Sequence, residues 1–339
     1  SREMAIRAVL LAVCVGNAAA FAPSSFLAVK PASTAGFVVK NSMRLRNARS
    51  PALQMGLFDA LKELAMPTEV ANMPNMAPDV AASAGPLTWT CGVSEIEDPR
   101  HPMEDAWFAT EQDFGVFDGV SGAAKANFGD VYSFQLSGAT FANMQRQRTN
   151  LGKVNPEMAL DGAARTLEDV KTVGASTACA VTVDTSTPGY TILEGVNIGD
   201  SGILVLRQDP STEGVRPVVA YKTIPQMHYF NCPFQLGGSS PDSPDQATKI
   251  KVPLMSGDVV VLASDGLYDN VYDSQIIDLI EATWGQDPNI QAQALVAYAR
   301  QVQEDPNVLV PYGVEAQEAG QTFIGGKLDD TVALVLQFQ

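Results

Sequence analysis

Three apolar runs end or begin at or one residue from aspartate, and no other feature constrains the fold of this chain as strongly. Phe114-Gly115-Val116-Phe117 leads into Asp118-Gly119, and Val259-Val260-Val261-Leu262-Ala263 leads through Ser264 into Asp265-Gly266. The pair Asp329-Asp330 stands immediately before the apolar run 331–338. Short β-branched and aromatic runs of this kind form buried strands. A carboxylate at the mouth of such a strand is fixed by the sheet while its head reaches a cleft. Glycine beside it lets backbone, water or a cation approach closely. Singly, Asp-Gly is above all a turn dipeptide; three such junctions together point to one acid-lined cleft.

Carboxylates that converge raise one another's pKa unless cations sit among them. Oxygen-only donors select Mg²⁺ or Mn²⁺ over zinc, so a two-metal site is the economical expectation. The four cysteines, Cys14, Cys91, Cys179 and Cys232, include no C-x-x-C pair, which argues against a zinc site or a disulfide framework. Two further segments carry candidate chemistry. Arg100-His101-Pro102-Met103-Glu104-Asp105 offers a guanidinium, the natural grip for phosphate, or else a surface turn with an internal ion pair. Gly199-Asp200-Ser201-Gly202 reads either as a hairpin turn or as a further metal-bearing corner.

The punctuation of the body predicts strands at 87–94, 106–110 and 114–117, the last two forming a hairpin through Glu111-Gln112-Asp113. Helices are expected at 130–148 and 156–171, the second opened by Asn155-Pro156-Glu157. Strands follow at 176–184, 190–198, 202–207, 218–221 and 259–263, then helices at 274–283 and 290–303 and a last strand at 331–338. Paired strands with helix pairs between them argue for α+β layers rather than a doubly wound parallel sheet. One domain over 87–339 is the expectation.

The formal charge of −16 conceals an asymmetry. Residues 1–54 hold seven Lys or Arg against Glu3 and are +6; the remainder, with 15 basic and 37 acidic residues, is −22. That sign argues against nucleic acid as a partner and suits a body that holds hard cations. After the first twenty residues no apolar run approaches the roughly 18 residues of a membrane span, so stable membrane insertion is not expected. With Met4 as the expected start, residues 1–20 read as a signal peptide: Arg7, an apolar stretch, then Ala18-Ala19-Ala20 before Phe21. Residues 21–54, basic and without acids, read as a transit peptide. The tandem resembles the bipartite leader of plastids of red-algal secondary origin and predicts stroma or thylakoid surface, with secretion or a mitochondrial address as alternatives. Residues 55–86, interrupted by four prolines after a short amphipathic start, read as a linker or surface arm.

In chain order the body spells R-x-x-x-E-D, D-G-V-S-G, G-A-S-T-A, N-I-G-D-S-G, A-S-D-G-L-Y-D and L-D-D-T. This series closely resembles the protein phosphatase 2C family of metal-dependent Ser/Thr phosphatases. The stretches 228–236 and 325–330 look like its mitochondrial-type branch. The resemblance covers residues 87–339 and implies a four-layer α-β-β-α sandwich, two antiparallel sheets flanked by helix pairs, with a Mn²⁺ or Mg²⁺ pair in a cleft at one end. By the same resemblance Asp118 bridges both metals, Gly119 offers its carbonyl, Asp265 and Asp329 hold the first metal and Glu104 reaches the second through water. Arg100 matches the phosphate-binding arginine, and Asp200 and Asp269 match acids of a weaker third metal. Many relatives carry His after the bridging Asp-Gly where this chain has Val120, which leaves His101 as candidate general acid beside a metal-bound water. His228 is expected to pack or to shape a substrate loop. The implied activity is dephosphorylation of phosphoserine and phosphothreonine proteins; of the oligomeric states, which the sequence leaves open, a monomer is favoured. The alternatives are a regulatory pseudophosphatase of the same fold and a hydrolase of small phosphate esters.

Overall fold

The computed structural model describes residues 86–120, 131–208 and 216–339. The signal-peptide, transit-peptide and linker readings therefore lie outside the described residues, apart from Pro86.

The first strands are β1 (Trp89–Ile96), β2 (Ala106–Ala109), β3 (Asp113–Phe117) and β4 (Gly119–Val120). Helices α1 (Tyr132–Leu151) and α2 (Pro156–Leu167) follow. Next come β5 (Ala175–Ser176), β6 (Ala178–Asp184), β7 (Thr191–Ile198), β8 (Gly202–Gln208) and β9 (Pro217–Lys222). A short hairpin of β10 (Met227–Tyr229) and β11 (Cys232–Pro233) precedes β12 (Thr248–Leu254) and β13 (Val259–Ala263). The chain closes with α3 (Asp265–Tyr268), α4 (Asp273–Ala282), α5 (Pro288–Gln303), α6 (Pro311–Glu318) and β14 (Thr331–Phe338).

Two five-stranded antiparallel sheets result, ordered β1-β14-β13-β8-β9 and β12-β7-β6-β3-β2. Period-2 alternation sends the two faces of each central strand to different layers. Val260, Leu262, Leu334 and Leu336 of the first sheet meet Phe114, Val116, Val181 and Leu193 of the second between the sheets. Val259, Val261, Ala333 and Val335 point outward against Ile276, Ile280, Leu295 and Ala299 of α4 and α5. On the far side Phe117, Ala178, Ala180 and Ile198 pack on Leu136 and Met144 of α1 and Leu160 and Ala163 of α2. Being buried on both faces is why these strands read as unbroken apolar runs. The expected α-β-β-α sandwich is what forms.

Local chemistry starts two of the helices, the first as anticipated. The Asn155 side chain accepts the Met158 N–H at 3.1 Å with Pro156 at the first helical position, and Asp287 caps α5 ahead of Pro288 in the same way. Two departures are informative. Strand β12 was not expected, because Pro253 and the exposed Lys249 and Lys251 interrupt its pattern; it is an edge strand, where a missing N–H is tolerated. The segment 199–201 is not a hairpin turn: β7 and β8 belong to different sheets, and the link crosses between them.

Register brings the acids to one end. In the first sheet Ala263 pairs with Gly202 and with Ala333, and Ile96 with Thr331. In the second, Ala106 pairs with Phe117 and Ala178 with Ile198. Asp98, Asp105, Asp118, Asp200, Asp265, Asp329 and Asp330 each lie within two residues of one of these strand ends, on the same edge of the sandwich.

Candidate metal centre

One carboxylate oxygen from each of Asp118, Asp200 and Asp265 lies within 4.8 Å of the other two. Asp118 follows β3, Asp200 sits in the crossover between the sheets, and Asp265 opens α3, so three separate elements aim at one point. The backbone of Asp118 is locked: its N–H donates to Thr177 Oγ1 at 3.2 Å and its carbonyl accepts from Thr177 N–H at 3.0 Å. Thr177 Oγ1 in turn lies 2.8 Å from Ser201 Oγ, which ties this acid to the Asp200 corner. The G-A-S-T-A and G-D-S-G signatures thus join at one hydrogen bond.

Glycine serves close approach at two of these junctions. A β-carbon on Gly119 would fall 2.4 Å from the Glu104 carbonyl oxygen, and one on Gly266 would fall 1.9 Å from that of Asp330. Any side chain there would push the acid-bearing loops apart.

The sequence-derived residues fall as follows. Glu104 is buried against Gly119, with its backbone N–H donating to Asp330 Oδ2 at 2.6 Å and its carbonyl accepting from the Ser133 hydroxyl. Asp329 lies outside the three-acid triangle; its Oδ2 is 3.0 Å from Lys327 Nζ, which also contacts Asp265 and Asp269. Arg100 stands at the rim with its side chain 60% exposed, gripped by Asp98 through Nε at 2.9 Å and donating from Nη2 to the Leu328 carbonyl at 2.7 Å. The His101 ring has Nδ1 2.9 Å from the Pro102 carbonyl and Nε2 3.5 Å from Asp98. His228 is elsewhere, stacked on Phe234 at 4.1 Å and 2.9 Å from Asp242.

Sequence reading gave no role to Asp98, Asp105, Asp330, Thr177 or Lys327. Asp330 Oδ1 and Oδ2 accept the N–H groups of Asp98 and Glu104, both at 2.6 Å, and so tie the loop before β2 to the start of β14. Asp105 is buried, with Oδ1 3.4 Å from the Gly119 N–H. The available signals were adjacency alone: Asp105 beside Glu104, Asp330 beside Asp329, and Lys327 two residues before it.

Burial and the charge of Asp265, followed by Asp105 and Asp200, push Asp118 well above the ordinary carboxylate range. Burial and Asp265 push Asp200 and Asp329 up to about 7, although Lys327 opposes both. Asp265 moves the other way. Burial would raise it, but the Lys327 ammonium and hydrogen bonds from Asp118, Lys327 and Asp269 hold it low. Burial lowers the His101 imidazole, yet the Pro102 carbonyl and the Asp330, Glu104 and Asp98 charges together leave it above its usual value. Among the described residues, buried Asp105 Oδ2 and Asp200 Oδ1 have no hydrogen-bond partner. Unpartnered buried oxygens and mutually raised carboxylates are what a hard divalent cation would satisfy, so the donor set fits Mn²⁺ or Mg²⁺.

No protein-family profile matches the chain. Individual relatives do. Over 255 residues the chain is 33% identical to probable protein phosphatase 2C 80 of Arabidopsis thaliana, covering 74% of this chain and 58% of the relative. It is 32% identical over 267 residues to probable protein phosphatase 2C 1 of Oryza sativa subsp. japonica, covering 73% and 75%. It is 31% identical over 256 residues to protein phosphatase PTC7 homolog fig of Drosophila virilis, covering 70% and 78%. The chain spans about half the length of two Arabidopsis relatives, at 58% and 47%. Among solved structures, the photosystem II phosphatase PBCP superposes with a TM-score of 0.62 at 29% identity, over 74% of this chain and 99% of that one. The catalytic domain of the serine threonine phosphatase PstP, solved with two manganese ions, has a TM-score of 0.50 at 18% identity over 74% and 99%, a likeness of fold alone.

Proposed function

Because this chain belongs to the protein phosphatase 2C family, we propose that it hydrolyses phosphoserine and phosphothreonine in proteins with the aid of two divalent ions. The observation that carries this reading is the convergence of Asp118, Asp200 and Asp265 from two sheets and a helix start onto one point. Asp118, Asp265, Asp329, the Gly119 carbonyl and Glu104 would hold the ions, which when bound supply an activated water and neutralise phosphoryl charge.

The chain's own groups do the positioning. Arg100, pre-oriented by Asp98 and the Leu328 carbonyl and open on its outer side, grips the phosphoryl oxygens. Asp330 holds the Arg100–Glu104 loop to the start of β14, so the phosphate grip and the acid cluster keep a fixed spacing. His101, held at the rim of that loop and raised toward its cationic form, is the candidate donor of the proton that the leaving hydroxyl needs.

Phosphate release from a phosphothreonine peptide tests the reading. Activity is expected with Mn²⁺, should vanish with EDTA and should return on adding metal back. Turnover that survives chelation would overturn the metal assignment, and no turnover on any phosphopeptide would favour the regulatory alternative. In the same assay run against pH, His101→Ala is expected to lose the alkaline limb of kcat; an unchanged profile removes His101 as the acid.

The leader and the likeness to a photosystem II phosphatase support a plastid address and a plastid phosphoprotein as substrate. Among the described residues no helix is long and apolar enough to cross a membrane. Residues 4–86 fused to a fluorescent protein should light the plastid of an alga with a secondary plastid; signal confined elsewhere refutes the address.

A further inference from the structure

Lys327 reaches into the acid cluster with all three of its donors occupied. Its Nζ lies 2.5 Å from Asp265 Oδ2, 2.6 Å from Asp269 Oδ2 and 3.0 Å from Asp329 Oδ2. An ammonium has three N–H bonds, so each can meet a different carboxylate. The side chain is only 18% exposed.

Its surroundings hold it there from several directions. The buried Asn270 side chain accepts the Lys327 N–H at 2.8 Å and donates to the Lys327 carbonyl at 3.0 Å, while the same amide donates to the Gly266 carbonyl at 3.0 Å. The lysine backbone is thereby clamped to the turn that follows Asp265. The Tyr312 ring centroid lies 5.1 Å from Nζ, within range of a cation–π contact. Phe230 and Phe323 pack on Tyr312 with centroids at 4.9 and 4.8 Å. The backbone N–H of Tyr312 donates to the Asp269 carbonyl at 3.0 Å, which fixes the ring relative to the acid.

We propose that Lys327 is a built-in cation: its ammonium occupies the place beside Asp269 that a third divalent ion would take, leaving two exchangeable metals. The inference rests on the two-metal reading above. An ammonium carried by the chain is present at any metal concentration. It takes one oxygen each from Asp265 and Asp329 and leaves the other oxygen of each for a metal or a backbone N–H. Asp269, bonded to Lys327, is then an anchor for the lysine rather than a metal ligand.

The test is Mn²⁺ binding to the full chain, followed by calorimetric titration and by the electron paramagnetic resonance of bound Mn²⁺. Wild type is expected to bind two ions. Lys327→Gln is expected to bind a third, and adding Asp269→Asn to that variant should abolish it. In an otherwise wild-type chain, Asp269→Asn should keep two ions, with affinities altered less than the roughly 10–100-fold seen when a metal's supporting residues are removed. Three ions in wild type, or two in Lys327→Gln with wild-type affinities, would overturn the inference alone. Should Lys327→Gln not fold, loss of an ion in Asp269→Asn overturns it independently. No saturable Mn²⁺ binding by wild type would overturn the two-metal reading and this inference with it.

Discussion

Asp118→Asn is expected to lower phosphopeptide turnover at least ~100-fold, beyond what loss of a supporting residue around a metal usually costs, while leaving the fold intact. The fold should survive because the contacts that Asp118 makes to Thr177 run through its backbone, and the substitution keeps side-chain volume. The loss should be large because Asp118 is the member of the triangle assigned to both ions, so an amide there removes charge from each. Circular dichroism should match wild type, and Mn²⁺ titration should show weakened binding. Turnover within tenfold of wild type would sink the assignment of Asp118.

The second large effect concerns stability. Asp200 and Asp329 are raised to about 7 and Asp330 to about 6, each chiefly by burial, and Asp118, Asp105 and Asp269 are raised as well. Between the ordinary carboxylate value and these raised values the metal-free native state binds more protons than the unfolded chain, so stability falls as pH rises. For Asp200, Asp329 and Asp330 the contribution is complete below about pH 4 and is lost as pH rises through about 6 to 7. Asp265, held low by Lys327, works in the opposite sense, but its window lies below the ordinary value. The EDTA-treated protein should therefore show a Tm that declines from pH 5 to pH 8. Mn²⁺ at ~100 times its Kd should add ~2.7 kcal/mol per site, or ~5–10 °C for a domain of this size, most strongly at the alkaline end where the carboxylates are ionised. A Tm that rises with pH in EDTA, or no Mn²⁺ shift at pH 7.5, would contradict the cluster as described.

Much of the fold was legible because buried strands announce themselves. Strands β13 and β14 match their expected bounds, since both faces of each are packed: β13 is apolar throughout, and β14 is apolar except at Thr331 and Gln337 near its ends. Strand β12 was not legible: an edge strand with one face in solvent needs only alternate apolar residues, Ile250, Val252 and Leu254, and tolerates Pro253. The Gly199–Ser201 segment could be read as a turn but not as a passage between sheets, because the choice of sheet depends on what packs opposite β8.

The acids divide in the same way. Asp118 and Asp265 stand out because each terminates an apolar strand, and local sequence alone places such a residue at a sheet end. Asp105 and Asp330 have the same chemistry, yet no local pattern sets them apart from their neighbours Glu104 and Asp329. Their roles come from hydrogen bonds to amides more than 200 residues away in the case of Asp330.

The sequence by itself determined which strands are buried, which of them end on a carboxylate, and that an all-oxygen acidic site would need hard cations, because hydrophobic period and residue chemistry are local properties. Only the tertiary structure decided which three carboxylates meet, that Thr177 locks Asp118, and that Lys327 enters the cluster. Those outcomes depend on strand register and on the crossover between the two sheets, which are set by packing between residues far apart in the chain.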